Sequence, residues 1–164
     1  MTDYPDRELI DNLNENIRTC SSEGATNVNV VAEGYLWGAD PAPLLAHLPE
    51  GQPAKGMGEG FDVLLLADLL FNHSCHGALV DTIVKTLGKR GEARALVFFT
   101  PYRPWLLERD MAFFDICGAK GLVVEKVLEE RMERVMFEGD RGDEGVRRTV
   151  WGFEVRWGEG GNSG

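Results

Sequence analysis

The chain has 164 residues and carries 17 basic and 27 acidic side chains, which gives a net charge of -10. This length predicts one domain with one core, of the size at which about 70% of the chain surface can be buried. The negative charge argues against nucleic acid and against a membrane surface as partners, and it favours a cationic ligand or a basic protein. The three cysteines have no metal-type spacing, and no apolar run reaches the roughly 18 residues of a membrane helix. We therefore expect a cytoplasmic protein.

The first third of the chain predicts helices and one strand. A helix is predicted over residues 5–17, where Asp6 can cap the first turn and four apolar residues share one face: Leu9, Ile10, Leu13 and Ile17. The β-branched run 28–31 predicts a strand that breaks at Gly34. A short helix over 41–48 follows, and residues 49–60, rich in Pro and Gly, predict a surface loop.

The remainder alternates strands with helices. Residues 61–70 are almost wholly apolar, which predicts a central parallel strand covered on both faces. A helix with apolar residues from Leu79 to Leu87, a strand within 93–104 and a second helix that begins at Pro104 and ends at Gly121 come next. Two last strands are predicted at 122–132 and 148–157, with a turn at 138–145 between them. This order predicts an open α/β sheet.

Polar residues cluster in the stretch LLLADLLFNHSCHG, residues 64–77, where the apolar run gives way to Asp68, Asn72 and two histidines. Ligands bind at the carboxyl ends of parallel strands in open sheets, because side chains and loops converge there. The position favours a ligand-facing role over a purely structural one. We predict no metal site, because no further His or Cys lies nearby to complete a tetrahedron. The histidines are then two partly exposed side chains at a helix start, with Ser74 as a possible N-cap.

Five segments carry a resemblance to a known family: MTDYPDRELIDNLNENI, YLWG, FDVLLLADLLFNHSCHGALV, LVFFTPYRPWLLERDMAFFD and VMFEGDRGDEGVRRTVWGFEVRW. Together they resemble the fungal protein N-terminal and lysine N-methyltransferases that act on elongation factor 1-alpha, once called nicotinamide N-methyltransferases. These belong to lysine methyltransferase family 16, within the class I enzymes that use S-adenosylmethionine. The resemblance covers nearly the whole chain and implies the Rossmann-like, seven-strand methyltransferase sheet.

The resemblance implies roles for particular residues. Asp3 matches the acidic residue that ends the second strand and bonds the ribose hydroxyls of the cofactor, because a carboxylate accepts two hydroxyl hydrogens. Trp37 matches the flat apolar wall beside the adenine, although an ordinary core tryptophan remains the alternative. Ala67 matches the small residue whose backbone lies against the cofactor. Asp68 opens the family's D-x-x-aromatic motif, with Phe71 in the aromatic place, which excludes a hydroxyl role there.

The chain departs from the family at its start. Relatives have an earlier segment with the first strand and a Gly-rich loop, and this sequence begins after it. The first strand lies between the second and fourth in the family sheet, so the hydrogen-bonding edges of these two neighbours lose their partner. Unpaired backbone groups are costly when they are buried, and an exposed strand edge tends to pair with other chains. We therefore interpret residues 1–164 as a single partial methyltransferase domain, the C-terminal two-thirds of the family fold. A truncated fragment is favoured over a complete enzyme.

The reaction of the family depends more on how the protein aligns the reactants than on acid-base groups. Methyl transfer is an in-line displacement, so the protein aligns an uncharged amine and excludes water. In that role Asp68 and Asn72 orient the amine, while Tyr102 and Trp105 wall its channel; Phe99 either joins them or belongs to the core. Two interpretations stay open. One is an N-methyltransferase of elongation factor 1-alpha, and the other is an inactive fragment or interaction protein without a complete cofactor site.

Overall fold

The computed structural model describes residues 1–22, 29–49 and 60–158. None of the helices within these ranges is both long and apolar enough to cross a membrane. The helices are α1 (Arg7–Ser22), α2 (Ala42–Leu45), α3 (His76–Thr86), α4 (Leu107–Ala119) and α5 (Glu144–Arg147). The strands are β1 (Thr2–Asp3), β2 (Glu33–Gly34), β3 (Val63–Ala67), β4 (Arg94–Phe99), β5 (Leu122–Arg131) and β6 (Thr149–Trp157).

A four-stranded mixed sheet in the order β3-β4-β6-β5 forms the centre of the fold. Strands β3 and β4 run parallel, with α3 as the crossover between them, while β6 pairs antiparallel with both β4 and β5. The predicted order of β, α, β, α and a closing strand pair is therefore confirmed. The connection between β5 and β6 is longer than the predicted turn, since it contains the short helix α5.

The hydrophobic core lies on one face of this sheet, beneath α3 and α4. Every second residue of β4 is buried on that face, as the pleat requires: Ala95, Val97 and Phe99. The two helices contribute side chains that are fully or almost fully buried: Leu79, Val80, Ile83, Phe113 and Cys117. The helical periodicity of the sequence therefore located the buried face of α3. Of the three residues expected on the buried side of α4, Phe114 is buried, whereas Leu107 and Met111 are only partly buried.

Strand β3 is an edge strand, and the prediction of a central strand covered on both faces is wrong for the described residues. Leu66 is buried against the core, whereas Val63 and Leu65, which point to the other face, are 58% and 67% exposed. No strand pairs with the outer edge of β3 among the described residues. A strand that is apolar on both faces is typical of a strand covered on both faces, but among the described residues only the face toward α3 and α4 is covered.

The N-terminal segment forms a separate two-stranded sheet in which β1 pairs parallel with β2. The Asp6 carboxylate accepts the backbone N–H groups of Glu8 and Leu9 at 2.9 and 3.4 Å, so the predicted cap of α1 is confirmed. The predicted strand is displaced, because β2 is residues 33–34 and the described valines of the run 28–31 lie outside it. Val28 and most of the predicted 49–60 loop fall outside the described residues.

The segment after β2 is fastened to α3. The N–H of Gly38 donates to the Thr82 hydroxyl at 2.8 Å, and the Lys85 ammonium donates to the Gly38 carbonyl at 2.7 Å. Gly38 has φ +82°, and a Cβ there would stand 3.1 Å from the Ala78 Cβ. The backbone thus approaches α3 closely at a conformation that glycine adopts most readily. These contacts tie the two-stranded sheet to the larger one through α3.

Candidate functional site

The candidate site lies where β3 and β4 end. Both strands are parallel, so Asp68 and Thr100, which directly follow them, come to the same edge of the sheet. The Asp68 N–H donates to the Phe98 carbonyl at 2.8 Å, and the Asp68 carboxylate accepts the Thr100 N–H at 3.0 Å. The side chain of Asp68 therefore joins the ends of two strands that are 32 residues apart in sequence.

Asp68 occupies a left-handed backbone conformation, with φ 52°. Residues other than glycine rarely adopt it, although Asp and Asn do so more readily because their short side chains bond locally. Such a conformation persists only when its surroundings hold it in place, and the two hydrogen bonds to β4 do so here. The chain reverses sharply at the strand end and leaves Asp68 exposed at the sheet edge.

A small hollow opens beside Asp68, between aromatic rings and a second carboxylate. Its lining residues are Asp68, Leu70, Phe71, Phe99, Thr100, Tyr102 and Asp110. Phe71, which is 48% exposed, stands at its surface. Phe99 is only 3% exposed and packs on Trp151 and Phe153, so the core alternative for this residue is confirmed. Tyr102 lines the hollow, whereas Trp105 is exposed and is not part of the lining.

The two histidines after β3 are engaged in hydrogen bonds. His73 Nε2 lies 2.7 Å from Asp110 Oδ1, and His76 Nε2 lies 2.7 Å from the Leu70 carbonyl oxygen. His76 is 3% exposed, so the expectation that both histidines are partly exposed is wrong for this one. Within the described parts of the chain, no three His, Cys, Asp or Glu side chains are grouped to hold a metal ion. His76 thus stabilises the turn between β3 and α3, and His73 joins that turn to α4.

Asn72 shapes the turn that leads into α3. Its carbonyl accepts the Cys75 N–H at 3.0 Å, and its side-chain oxygen accepts the Ser74 hydroxyl at 2.9 Å. Ser74 is therefore not the N-cap of α3; Cys75 holds that position without a side-chain capping bond. Asn72 is half-buried and does not line the hollow beside Asp68. Its role in orienting an amine stays a prediction.

The three residues assigned to the cofactor lie in two different sheets and in the turn after β2. Asp3 is the last residue of β1 and is exposed, with one carboxylate oxygen accepting the Tyr4 N–H at 2.7 Å. Ala67 is the exposed last residue of β3, and Trp37, which follows β2, is half-buried against the core. An exposed carboxylate, an indole and a small residue have the chemistry that the nucleoside end of S-adenosylmethionine requires, and their assignment to it stays a prediction. In the described residues, β1 continues into Tyr4 and Pro5 rather than into a glycine-rich turn.

The sequence pattern missed three residues at this edge. Thr100 follows β4 as Asp68 follows β3, so the same strand-end rule locates it once the two strands are known to be parallel. Arg103 donates to the Phe71 carbonyl at 3.4 Å and lies 5.1 Å from the centre of the Tyr102 ring. Asp110 lies in the first turn of a helix, where acidic residues are common, so nothing local marks its buried contact with His73.

Comparisons with known proteins reveal clear relatives of the chain. No protein-family model matches the chain. The chain is 49% identical over 160 residues to the protein N-terminal and lysine N-methyltransferase of Neurospora crassa, 48% over 162 residues to that of Gibberella zeae and 46% over 159 residues to that of Emericella nidulans. Each alignment covers 96% of this chain but only 56% to 60% of the relative.

A solved structure supports the fold. The precorrin-6y C5,15-methyltransferase of Geobacter metallireducens superimposes with a TM-score of 0.50 at 10% sequence identity, covering 96% of this chain and 65% of its own. At this identity the likeness shows the fold alone, a Rossmann-like α/β fold. Over 96% of its residues the chain is therefore homologous to fungal proteins named protein N-terminal and lysine N-methyltransferases, and it spans somewhat more than half the length of those relatives.

Proposed function

We propose that the chain forms the acceptor-binding part of an S-adenosylmethionine-dependent protein N-methyltransferase. Its proposed targets are the N-terminal amine and a nearby lysine of elongation factor 1-alpha, which implies a cytosolic location. The observation that carries the proposal is the homology over 96% of the chain to proteins named for protein N-terminal and lysine N-methylation. The acidic net charge of -10 supports a basic protein as the substrate.

The residues at the edge of the sheet fit this chemistry. When bound, the cofactor supplies a methyl group on a positively charged sulfur, and the acceptor amine must reach it uncharged. An α-amino group with a pKa of about 7.7 to 8.0 is partly neutral at cellular pH, whereas a lysine near 10.4 needs desolvation. We assign the orientation of the amine to Asp68 and Asn72, and the exclusion of water to the rings of Phe71 and Tyr102 beside Asp68.

The nucleoside of the cofactor is assigned to three residues. Asp3 would accept the ribose hydroxyls through its exposed carboxylate, and Trp37 would offer a wall to the adenine. Ala67, at the end of β3, leaves room for the cofactor against the backbone. These assignments predict that the chain by itself holds only part of the cofactor and binds it weakly.

A second candidate is a non-catalytic interaction protein. The exposed apolar residues of β3, Val63 and Leu65, favour it, because they lie on an edge strand that has no outer partner among the described residues. Such an edge readily pairs with another chain. Under this alternative the chain keeps the substrate-facing half of the fold without completing a cofactor site.

Calorimetric titration of the chain with S-adenosylmethionine tests the partial cofactor site that both candidates share. Weak or absent binding is expected from the partial site, and a micromolar dissociation constant would contradict that expectation. The enzyme candidate is then tested with the chain joined to the unmatched segment of a relative. The assay measures transfer of a labelled methyl group to elongation factor 1-alpha. No transfer by a folded, cofactor-binding protein would favour the interaction protein.

The role of Asp68 in methyl transfer is tested in the chain joined to the unmatched segment of a relative. Asp68→Asn keeps the side-chain shape and the acceptor for the Thr100 N–H but removes the charge. If the charge orients the amine, methyl transfer should fall about ten- to a hundred-fold, since a charged hydrogen bond contributes about 1.5 to 3 kcal/mol. Asp115→Asn, an exposed change on α4, is the matched control. Unchanged kinetics in Asp68→Asn would remove Asp68 from the catalytic residues.

A further inference from the structure

A second groove lies along the same edge of the sheet, where β5 ends and β6 begins. It encloses about 370 Å³ and is lined by residues of both strands and of α5, among them Glu129, Arg131, Asp143 and Trp151. Trp151 pairs in register with Phe99, and the two rings meet edge to face at 5.9 Å. Because Phe99 also lines the hollow beside Asp68, the groove and the hollow flank the same aromatic side chain.

The wall of this groove already holds an ammonium group. The Lys126 ammonium lies 4.4 Å from the centre of the Trp151 ring and 2.5 Å from a carboxylate oxygen of Glu129. An aromatic face and a carboxylate together form a good environment for a cation, because the ring's negative face and the charge both attract it. Trp151 and Glu129 thus bind a lysine side chain in this structure, one that belongs to the chain itself.

The groove carries charges of both signs. Two carboxylates, Glu129 and Asp143, face it together with one guanidinium, that of Arg131. The Asp143 side chain also accepts the Val146 N–H at 3.0 Å and so has a fixed position at the start of α5. A guest cation would meet these two carboxylates, the Arg131 guanidinium and, at the wall, the Lys126 ammonium. It must therefore displace Lys126 from Glu129 in order to bind. Lys126 competes for Glu129, and Arg131 repels the guest.

We propose that this groove binds a lysine or arginine side chain of a basic partner protein, with Glu129 and Asp143 as counter-ions and Trp151 as its aromatic wall. That the partner is the methylated protein rests on the proposed function. The groove then holds a basic residue beside the acceptor amine and selects substrates that carry a cation near the methylated position. Neither the homology nor the candidate site at Asp68 requires this second contact.

The test measures binding of a fluorescein-labelled (Gly-Lys-Ser)3 peptide to the whole chain by anisotropy, beside the same peptide with Gln in place of Lys. Replacing both groove carboxylates, Glu129→Gln with Asp143→Asn, should weaken the lysine peptide about two- to thirty-fold, as expected for two exposed charge pairs. Asn also caps helices, so α5 should be retained. The matched control removes two exposed carboxylates elsewhere, Glu92→Gln with Asp115→Asn.

Two variants that remove positive charges at the groove should have the opposite effect on binding. Arg131→Gln removes the repulsive cation and Lys126→Gln removes the internal competitor, so each should tighten binding of the lysine peptide. Lys89→Gln, an exposed change beyond the groove, makes the same change of net charge and controls for general attraction. The proposal is overturned if the control variants shift the dissociation constant as much as the groove variants. It is also overturned if the Lys and Gln peptides bind equally, or if neither binds.

Cofactor calorimetry on the same samples separates this inference from the proposed function. Groove-dependent peptide binding supports the groove whether or not S-adenosylmethionine binds. In the chain joined to the unmatched segment of a relative, methyl transfer that is insensitive to the groove variants would leave the enzyme standing and refute the groove as its substrate subsite. Failure of the groove proposal and failure of the proposed function therefore give different results.

Discussion

Replacing Asp68 by alanine should destabilise the fold far more than its exposed position implies. Alanine removes the acceptor of the Thr100 N–H, and Thr100 is largely buried, so the lost hydrogen bond costs about 1 to 3 kcal/mol. Alanine in a left-handed conformation adds about 1 to 2 kcal/mol, because φ at this position is 52°. The expected loss in the free energy of unfolding is therefore about 2 to 5 kcal/mol.

Two further substitutions at Asp68 separate these contributions. Asp68→Asn keeps the acceptor and tolerates the left-handed conformation, so it should lose only about 1 kcal/mol, the difference between a charged and a neutral hydrogen bond. Asp68→Gly removes the acceptor but relieves the conformation, and its stability should lie between that of the Asn and Ala variants. The order Asn, Gly, Ala is specific to this geometry.

Urea denaturation followed by circular dichroism measures these differences, with Asp115→Ala on the exposed face of α4 as the control. Thermal melting gives a second readout, because 1 kcal/mol shifts the midpoint by about 2 to 4 °C in a protein of this size. If Asp68→Ala is no less stable than Asp115→Ala, the strand-joining role of Asp68 is refuted. Equal losses in Asp68→Asn and Asp68→Ala would refute the contribution of the acceptor.

Three further changes test the core and the loop near the groove. Burial raises the pKa of the Cys117 thiol to about 12 from its ordinary value of 9.0, so above pH 9 the unfolded chain loses a proton that the folded protein keeps, and stability falls with rising pH. Between pH 8 and pH 10.5, the free energy of unfolding should fall less steeply in Cys117→Ala than in the wild-type protein, by up to about 1.4 kcal/mol per pH unit. Parallel declines in the two proteins would contradict this. Gly152→Ala should cost about 1 to 3 kcal/mol, since its Cβ would stand 2.6 Å from the Phe98 ring, and wild-type stability would show that the ring yields. Arg147, which is 5% exposed, donates to backbone carbonyls within residues 137–140, so Arg147→Lys should accelerate hydrogen exchange there, and unchanged exchange would dismiss that role.

Local features of the fold could be predicted from the sequence because their causes are local. The Asp6 cap and the buried face of α3 depend on spacings within one or two turns of helix. Strands β4, β5 and β6 begin and end within a few residues of the predicted ranges, since alternation and turn residues mark them. The strand-end rule likewise located Asp68 at the edge of the sheet.

Only the tertiary structure decided which partners these elements meet. The exposure of Leu65 depends on whether another element packs on the outer face of β3, and an apolar run looks the same with or without that cover. The bond from Asp68 to Thr100 spans 32 residues and the contact between His73 and Asp110 spans 37. Periodicity within a short window carries no information about such distant pairs, because chain folding rather than local conformation brings them together.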